Sequence, residues 1–225
     1  MTATRVLLVA LALSAAACPT AAAQSSPSSS STELHLGVKK WQILERESGP
    51  VNYYEVVSDP EMPFIRARYK PPTKTAILAY MVADEDRPRV RGLRWKWRVH
   101  NFPPGGDECV VARGDSAAGV FVVWKRGLRV YTLKYSWSTV GKIGAICGRK
   151  RTAFVARDKT HLESGGQLNV WQGEELDLKA EFRKHFEDGD PNADVPDFMG
   201  VGIMTDGDQT NTELVADYAD FVLLR

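Results

Sequence analysis

Within five residues, Asp206-Gly207-Asp208-Gln209-Thr210 gathers two carboxylates, an amide and a hydroxyl, with Asp217 and Asp220 downstream. Such oxygens have three uses. They can hold Ca²⁺, which takes six to eight oxygen ligands, with Asp206 and Asp208 as the metal candidates. They can hydrogen-bond the hydroxyls of a ligand, or they can cap and tighten a turn. Asp107, Glu108 and Asp115 are the other available acids. A hydrolase or lyase would need one of these acids with a raised pKa beside an ionised partner, about 5 to 9 Å away across a cleft. Aromatic groups offer a second chemistry. Of the six tryptophans, Trp137 is the one flanked by two small hydroxyl residues, Ser136 and Ser138. Most large aromatics in a β-sandwich are core, but an exposed indole would be a flat platform for the C–H face of a sugar. Trp137, Asp206, Asp208, Thr210, Asp107 and Asp115 therefore form the expected ligand-binding set, and no residue is assigned a catalytic role.

Other motifs fail on spacing. His35, His100, His161 and His185 are far apart and have no zinc-ligand pattern. Asp190, Asn192 and Asp194 begin like a calcium loop, but Val195 stands at the glycine position and Val201 at that of the bidentate Glu. Gly114-Asp115-Ser116 resembles a nucleophile segment without a recognisable base nearby. There is no Gly-rich phosphate loop.

The elements that must position these groups read as strands. Leu93 to Val99 alternates strictly, with Leu93, Trp95, Trp97 and Val99 on one face and Arg94, Lys96 and Arg98 on the other. Tyr53 to Val57, Phe64 to Tyr69, Thr75 to Val82, Gly119 to Trp124, Leu128 to Tyr135, Phe198 to Met204 and Tyr218 to Leu224 are also strand-like. Lys125-Arg126-Gly127 is the expected hairpin loop. Leu178, Phe182 and Phe186 fall at helical spacing and predict one short amphipathic helix. The expected fold is all-β with that single helix, an antiparallel β-sandwich of jelly-roll or galactose-binding-like kind.

Composition bounds the rest. The 225 residues are 44% hydrophobic and 25% charged, which excludes intrinsic disorder and a disulfide-stapled miniprotein. Residues 1–23 have the pattern of a secretory signal, with Arg5, the apolar run Val6 to Leu13 and Ala21-Ala22-Ala23. A lipobox reading, with Cys18 as a lipid anchor, is the alternative. Residues 24–32 form a Ser-rich leader, leaving 33–225 as a single β-sandwich domain. Beyond the signal no segment is long and apolar enough to be a transmembrane helix. Of 29 basic residues against 28 acidic ones, only Arg5 lies in the signal, so the remaining charges balance. That balance gives no reason to expect nucleic acid as partner. Export to an oxidising compartment, periplasmic or extracellular, makes a disulfide between Cys109 and Cys147 the default.

Several segments in order resemble an exported bacterial family catalogued as domain of unknown function 3047. They are Leu93 to Arg98, Gly105-Gly106-Asp107-Glu108, Gly114 to Ala118, Leu133 to Trp137, Trp171 with Glu174 to Asp177, Gly202 to Thr210, and Asp217-Tyr218-Ala219-Asp220. The resemblance implies an exported β-rich domain and carries no activity. A broader fold-level likeness to galactose-binding-like sandwiches, many of which bind carbohydrate, turns the expectation toward a glycan. The resulting expectation is a non-catalytic ligand-binding domain for a glycan or cell-envelope polymer. Its rivals are a carboxylate-dependent glycoside hydrolase or lyase, and a structural protein of the envelope with a protein partner.

Overall fold

The computed structural model describes residues 33–44 and 52–225. The signal at 1–23, Cys18 and the leader at 24–32 lie outside the described residues. The alternation in the central strand β6 (Gly92–Val99) divides inside from outside. Leu93, Trp95, Trp97 and Val99 are all 0% exposed, while Arg94, Lys96 and Arg98 face outward. Fully burying each large side chain is worth roughly 1.5–3 kcal/mol, so this register is strongly specified.

Strand β6 lies between β11 (Gln172–Asp177) and β13 (Leu214–Leu224) in a sheet continued by β4 (Phe64–Tyr69) and β3 (Tyr54–Val57). The short β1 (Glu33–His35) pairs with the end of β13. The second sheet has seven strands in the order β2 (Gln42–Ile43), β5 (Leu78–Met81), β12 (Asp197–Asp206), β7 (Ser116–Arg126), β8 (Arg129–Ser138), β10 (Val155–Ser164) and β9 (Ile146–Arg151). The two sheets pack face to face through Val120, Val122 and Trp124 of β7, Leu133, Tyr135 and Trp137 of β8, and the β6 face. Strands account for 49% of the described residues against one nine-residue helix, so the chain is a β-sandwich of the jelly-roll kind. Tyr218 ties the sheets together, since its hydroxyl reaches Met204 O at 2.8 Å and Thr205 Oγ1 at 2.9 Å.

Helix α1 (Leu178–Phe186) starts where Asp177 accepts hydrogen bonds from the Lys179 and Ala180 amides, both at 2.9 Å. Phe182 packs on Trp124 and Tyr131. Two details differ from expectation. The β7–β8 turn is Gly127-Leu128, because Arg126 and Arg129 already pair and Gly127 has φ +58°, the backbone a two-residue hairpin turn requires. The second sheet is mixed, with β10 running parallel to β8.

Candidate functional site: a groove across the seven-stranded sheet

Alternation along β7, β8, β10 and β12 sends every second residue away from the core. Register then lines up Lys159, Lys134, Phe121 and Gly202 in one row, with Arg157, Thr132, Val123 and Gly200 in the next. The glycines keep the floor low. A Cβ on Gly202 would lie 2.8 Å from Ile77 Cγ2, and one on Gly119 would lie 2.8 Å from Lys134 Cε. The result is a groove of two joined chambers sharing Ile77, Phe121, Val130 and Thr132. One chamber, of about 370 Å³, is walled by apolar groups including Leu44, Met81 and Val123. The other, of about 500 Å³, adds Lys134, Arg157, Lys159, Asp206, Asp208 and Gln209.

A buried ionic cluster borders the polar chamber. The Glu108 side chain, 0% exposed, contacts Lys134 Nζ through Oε1 and lies 2.5 Å from Lys159 Nζ through Oε2. Ser116 Oγ donates to Glu108 Oε1 at 3.0 Å. The loop carrying Glu108 is fastened by the Cys109–Cys147 disulfide, as expected, and Cys147 of β9 pairs directly with Lys159 of β10. Burial pushes the Lys134 ammonium below its ordinary range, and Asp206 opposes that shift. Burial likewise raises the Asp206 carboxyl to about 6, with Lys134 opposing and Asp208 and Asp115 adding to the rise.

The expected ligand set is divided. Asp115, Asp206, Asp208 and Thr210 do come together at the end of β12. Asp115 is fully buried, and its oxygens are taken by the Gln209 amide at 3.1 Å, the Thr210 amide at 2.6 Å and the Thr210 hydroxyl at 2.5 Å. Asp115 and Thr210 thus hold the turn, while Asp206 and Asp208 line the groove. One carboxylate oxygen from each of Asp115, Asp206 and Asp208 lies within 4.8 Å of the others. Asp107 accepts from the Cys109 amide at 2.9 Å and contacts His161 Nε2 at 3.0 Å.

Trp137 corrects an expectation. It is 1% exposed, on the core side of β8, with its ring 5.5 Å from that of Trp97 and its Nε1 donating to Gly165 O at 2.8 Å. No sugar can stack on it there. Its serine neighbours are small because other groups cover them. Ser136 Oγ lies 2.8 Å from His161 Nδ1, and Ser138 Oγ donates to Gly106 O at 2.7 Å. The chain Ser136–His161–Asp107 has the residue types of a nucleophilic triad, but Ser136 is fully buried and a nucleophile needs access. It joins β8 and β10 to the loop. Ser116 is buried as well.

Sequence reasoning missed Lys134, Arg157 and Lys159 as members of one groove. The signal was Lys134, the lone charge of β8 beyond its first residue; its meaning depended on a β10 that charge-rich residues disguised.

The family model described as protein of unknown function (DUF3047) matches residues 39–222. No curated protein matches. Among solved structures the chain is similar to the xyloglucanase domain of NopAA, a type three effector from Sinorhizobium fredii, in complex with cellobiose, at 8% identity and a TM-score of 0.42. That match covers 86% of this chain and 99% of the other. It is also similar to Trichoderma harzianum endoglucanase 3 from family GH12, at 8% identity and a TM-score of 0.41, covering 86% of this chain and 96% of that one. With the family model spanning both sheets and the groove between Ile43 and Thr210, this chain belongs to the DUF3047 family of proteins of unknown function.

Proposed function

We propose that residues 33–225 act as one exported domain that binds an extended hydroxylated polymer, a glycan of the cell envelope, in the groove across the seven-stranded sheet. The observation that carries this reading is the groove's divided lining: an apolar floor for ring C–H faces runs into carboxylates, an amide and cations placed to meet hydroxyls. Export is supported by the signal pattern of residues 1–23 and by the disulfide, which persists in oxidising compartments. Among the described residues no helix is long and apolar enough to cross a membrane.

A second reading, acid–base catalysis on the same polymer, is favoured by one observation. Asp206 and Lys134 are both displaced toward neutral pH at the edge of one groove, where an acid and a base of a hydrolase or lyase would be wanted. One experiment addresses both. The domain is run through native gels containing hydroxyethylcellulose, polygalacturonate or solubilised peptidoglycan, and the same polymers are assayed for new reducing ends. Retardation that Phe121→Ala and Asp208→Ala abolish, with the melting temperature unchanged, supports binding. New reducing ends lost in Asp206→Asn would move the reading to catalysis. Free migration in every gel would refute the groove as a glycan site.

A further inference from the structure

The two long walls of the groove differ in sign. Asp206, Asp208 and Gln209 stand on the β12 side, and Arg157 and Lys159 stand on the β10 side. Beyond β10, the edge strand β9 adds Arg149, Lys150 and Arg151. Five cations on these two strands meet two buried carboxylates. Asp158 takes Arg151 at 2.8 Å and Arg149 at 3.8 Å, and Glu108 is shared between Lys159 and Lys134. Arg157 and Lys150 are left without an ion pair among the described residues, and they are direct cross-strand partners. Opposed residues of an antiparallel pair point to the same face, so both charges stand on the groove side. Like charges in that relation repel. Burial and then Arg157 hold the Lys159 ammonium below its ordinary range, a second sign that positive charge here is under-compensated.

We infer that the groove's ligand is an acidic glycan, a polyuronate whose carboxylates lie along the β9–β10 wall and meet Arg157 and Lys150. This inference rests on the glycan reading above and narrows its substrate class. A uronate ring presents an apolar face, a carboxylate on one edge and hydroxyls on the other. The groove presents Val130, Val155 and Phe121 on its floor, a guanidinium and an ammonium on one side, and acceptor oxygens on the other. Arg157 supplies a planar two-pronged donor that matches a carboxylate.

The test is affinity electrophoresis of the intact domain in polygalacturonate and in neutral hydroxyethylcellulose, with a single-stranded oligonucleotide as a different polyanion. The expected result is an apparent Kd at least tenfold tighter for polygalacturonate than for the neutral polymer. Arg157→Glu should weaken that binding tenfold or more. Arg91→Glu, the same charge change on an exposed residue beside the other sheet, should leave it intact. Arg157→Gln should fall between wild type and Arg157→Glu, with unchanged melting temperatures for all three. Equal retention by the neutral polymer, with Arg157→Glu harmless, overturns the acidic-ligand inference and leaves the glycan groove standing. Equal losses in Arg157→Glu and Arg91→Glu, or an oligonucleotide bound as tightly as polygalacturonate, reduce the wall to general cation exchange and overturn the inference. Retention in neither polymer removes the glycan reading itself.

Discussion

Replacing Glu108 with Gln keeps the shape of the side chain and removes the carboxylate that pairs directly with two ammonium groups. Glu108 is wholly buried, Lys134 is 4% exposed and Lys159 is 29% exposed. Lys159 can turn to water, so the loss falls on Lys134. Stripping one partner from a buried pair costs about 3–5 kcal/mol. Asp206 remains beside Lys134 and places the expected value near the low end, about 3 kcal/mol. For a domain of this size that is a fall in melting temperature of about 6–12 °C. The pH dependence fixes the cause. A lysine whose folded-state pKa is depressed favours the folded state above its unfolded value of about 10.4, and that stability is lost as pH falls through the folded pKa. Urea unfolding of Glu108→Gln should therefore show a larger deficit at pH 6.5 than at pH 9.5, where the buried amine gives up its proton. Adding Lys134→Met, which takes away the stranded charge, should restore most of the loss. A deficit below 1 kcal/mol, one that is the same at both pH values, or strictly additive losses in the double variant would refute the account of a charge-balanced cluster.

Truncating Trp137 to Ala should cost about 3–5 kcal/mol in chemical unfolding, the penalty for a large core aromatic; a cost under 1 kcal/mol would contradict its burial against Trp97. Glu174 of β11 has its carboxyl raised to about 7, first by burial and then by Glu163, with the Trp97 indole donor opposing. A raised acid stabilises fully below its unfolded pKa near 4.5, and the contribution is lost as pH rises through about 7. Glu174→Gln should thus gain on wild type between pH 5 and 8, by about 1–2 kcal/mol after solvent screening, and parallel stability curves would count against this. Replacing Cys109 and Cys147 with Ser opens a loop of 38 residues and should lower stability by up to about 4 kcal/mol. An unchanged urea midpoint would mean the bridge constrains nothing.

The frame was legible wherever one face of a strand is buried and the other wet. Leu93 to Val99 and Phe64 to Tyr69 declared their registers by alternation and composition, and Leu178, Phe182 and Phe186 declared the helix by spacing. Strands β9 and β10 did not declare themselves. Gly148-Arg149-Lys150-Arg151 and Ala156-Arg157-Asp158-Lys159 look like solvated loop because their polar residues serve a groove wall and a buried ionic cluster. Trp137 was misplaced for a related reason. Its flanking serines suggest water, but the Gly106 and His161 segments lie over them. Local sequence records alternation; it does not record what the chain later lays across the outer face. Asp206, Asp208 and Thr210 lie together through a single turn at the end of β12, which is local and legible, whereas Asp115 reaches that turn from the start of β7, more than 90 residues away.

The parallel pairing of β10 with β8 constrains the order in which the sheet can be completed. Among the described residues β9 pairs only with β10, and β10 joins the sheet only along β8. Strand β9 therefore has no place to dock until β10, later in the chain, has slid in between. The last third of the seven-stranded sheet is assembled from the inside outward, and it comes apart from the outside inward. In native-state hydrogen exchange the amides of β10 should open no sooner than those of β9. Half of the basic wall thus rides on an edge strand, and whatever anion bridges Lys150 to Arg157 would also clasp that edge to its neighbour.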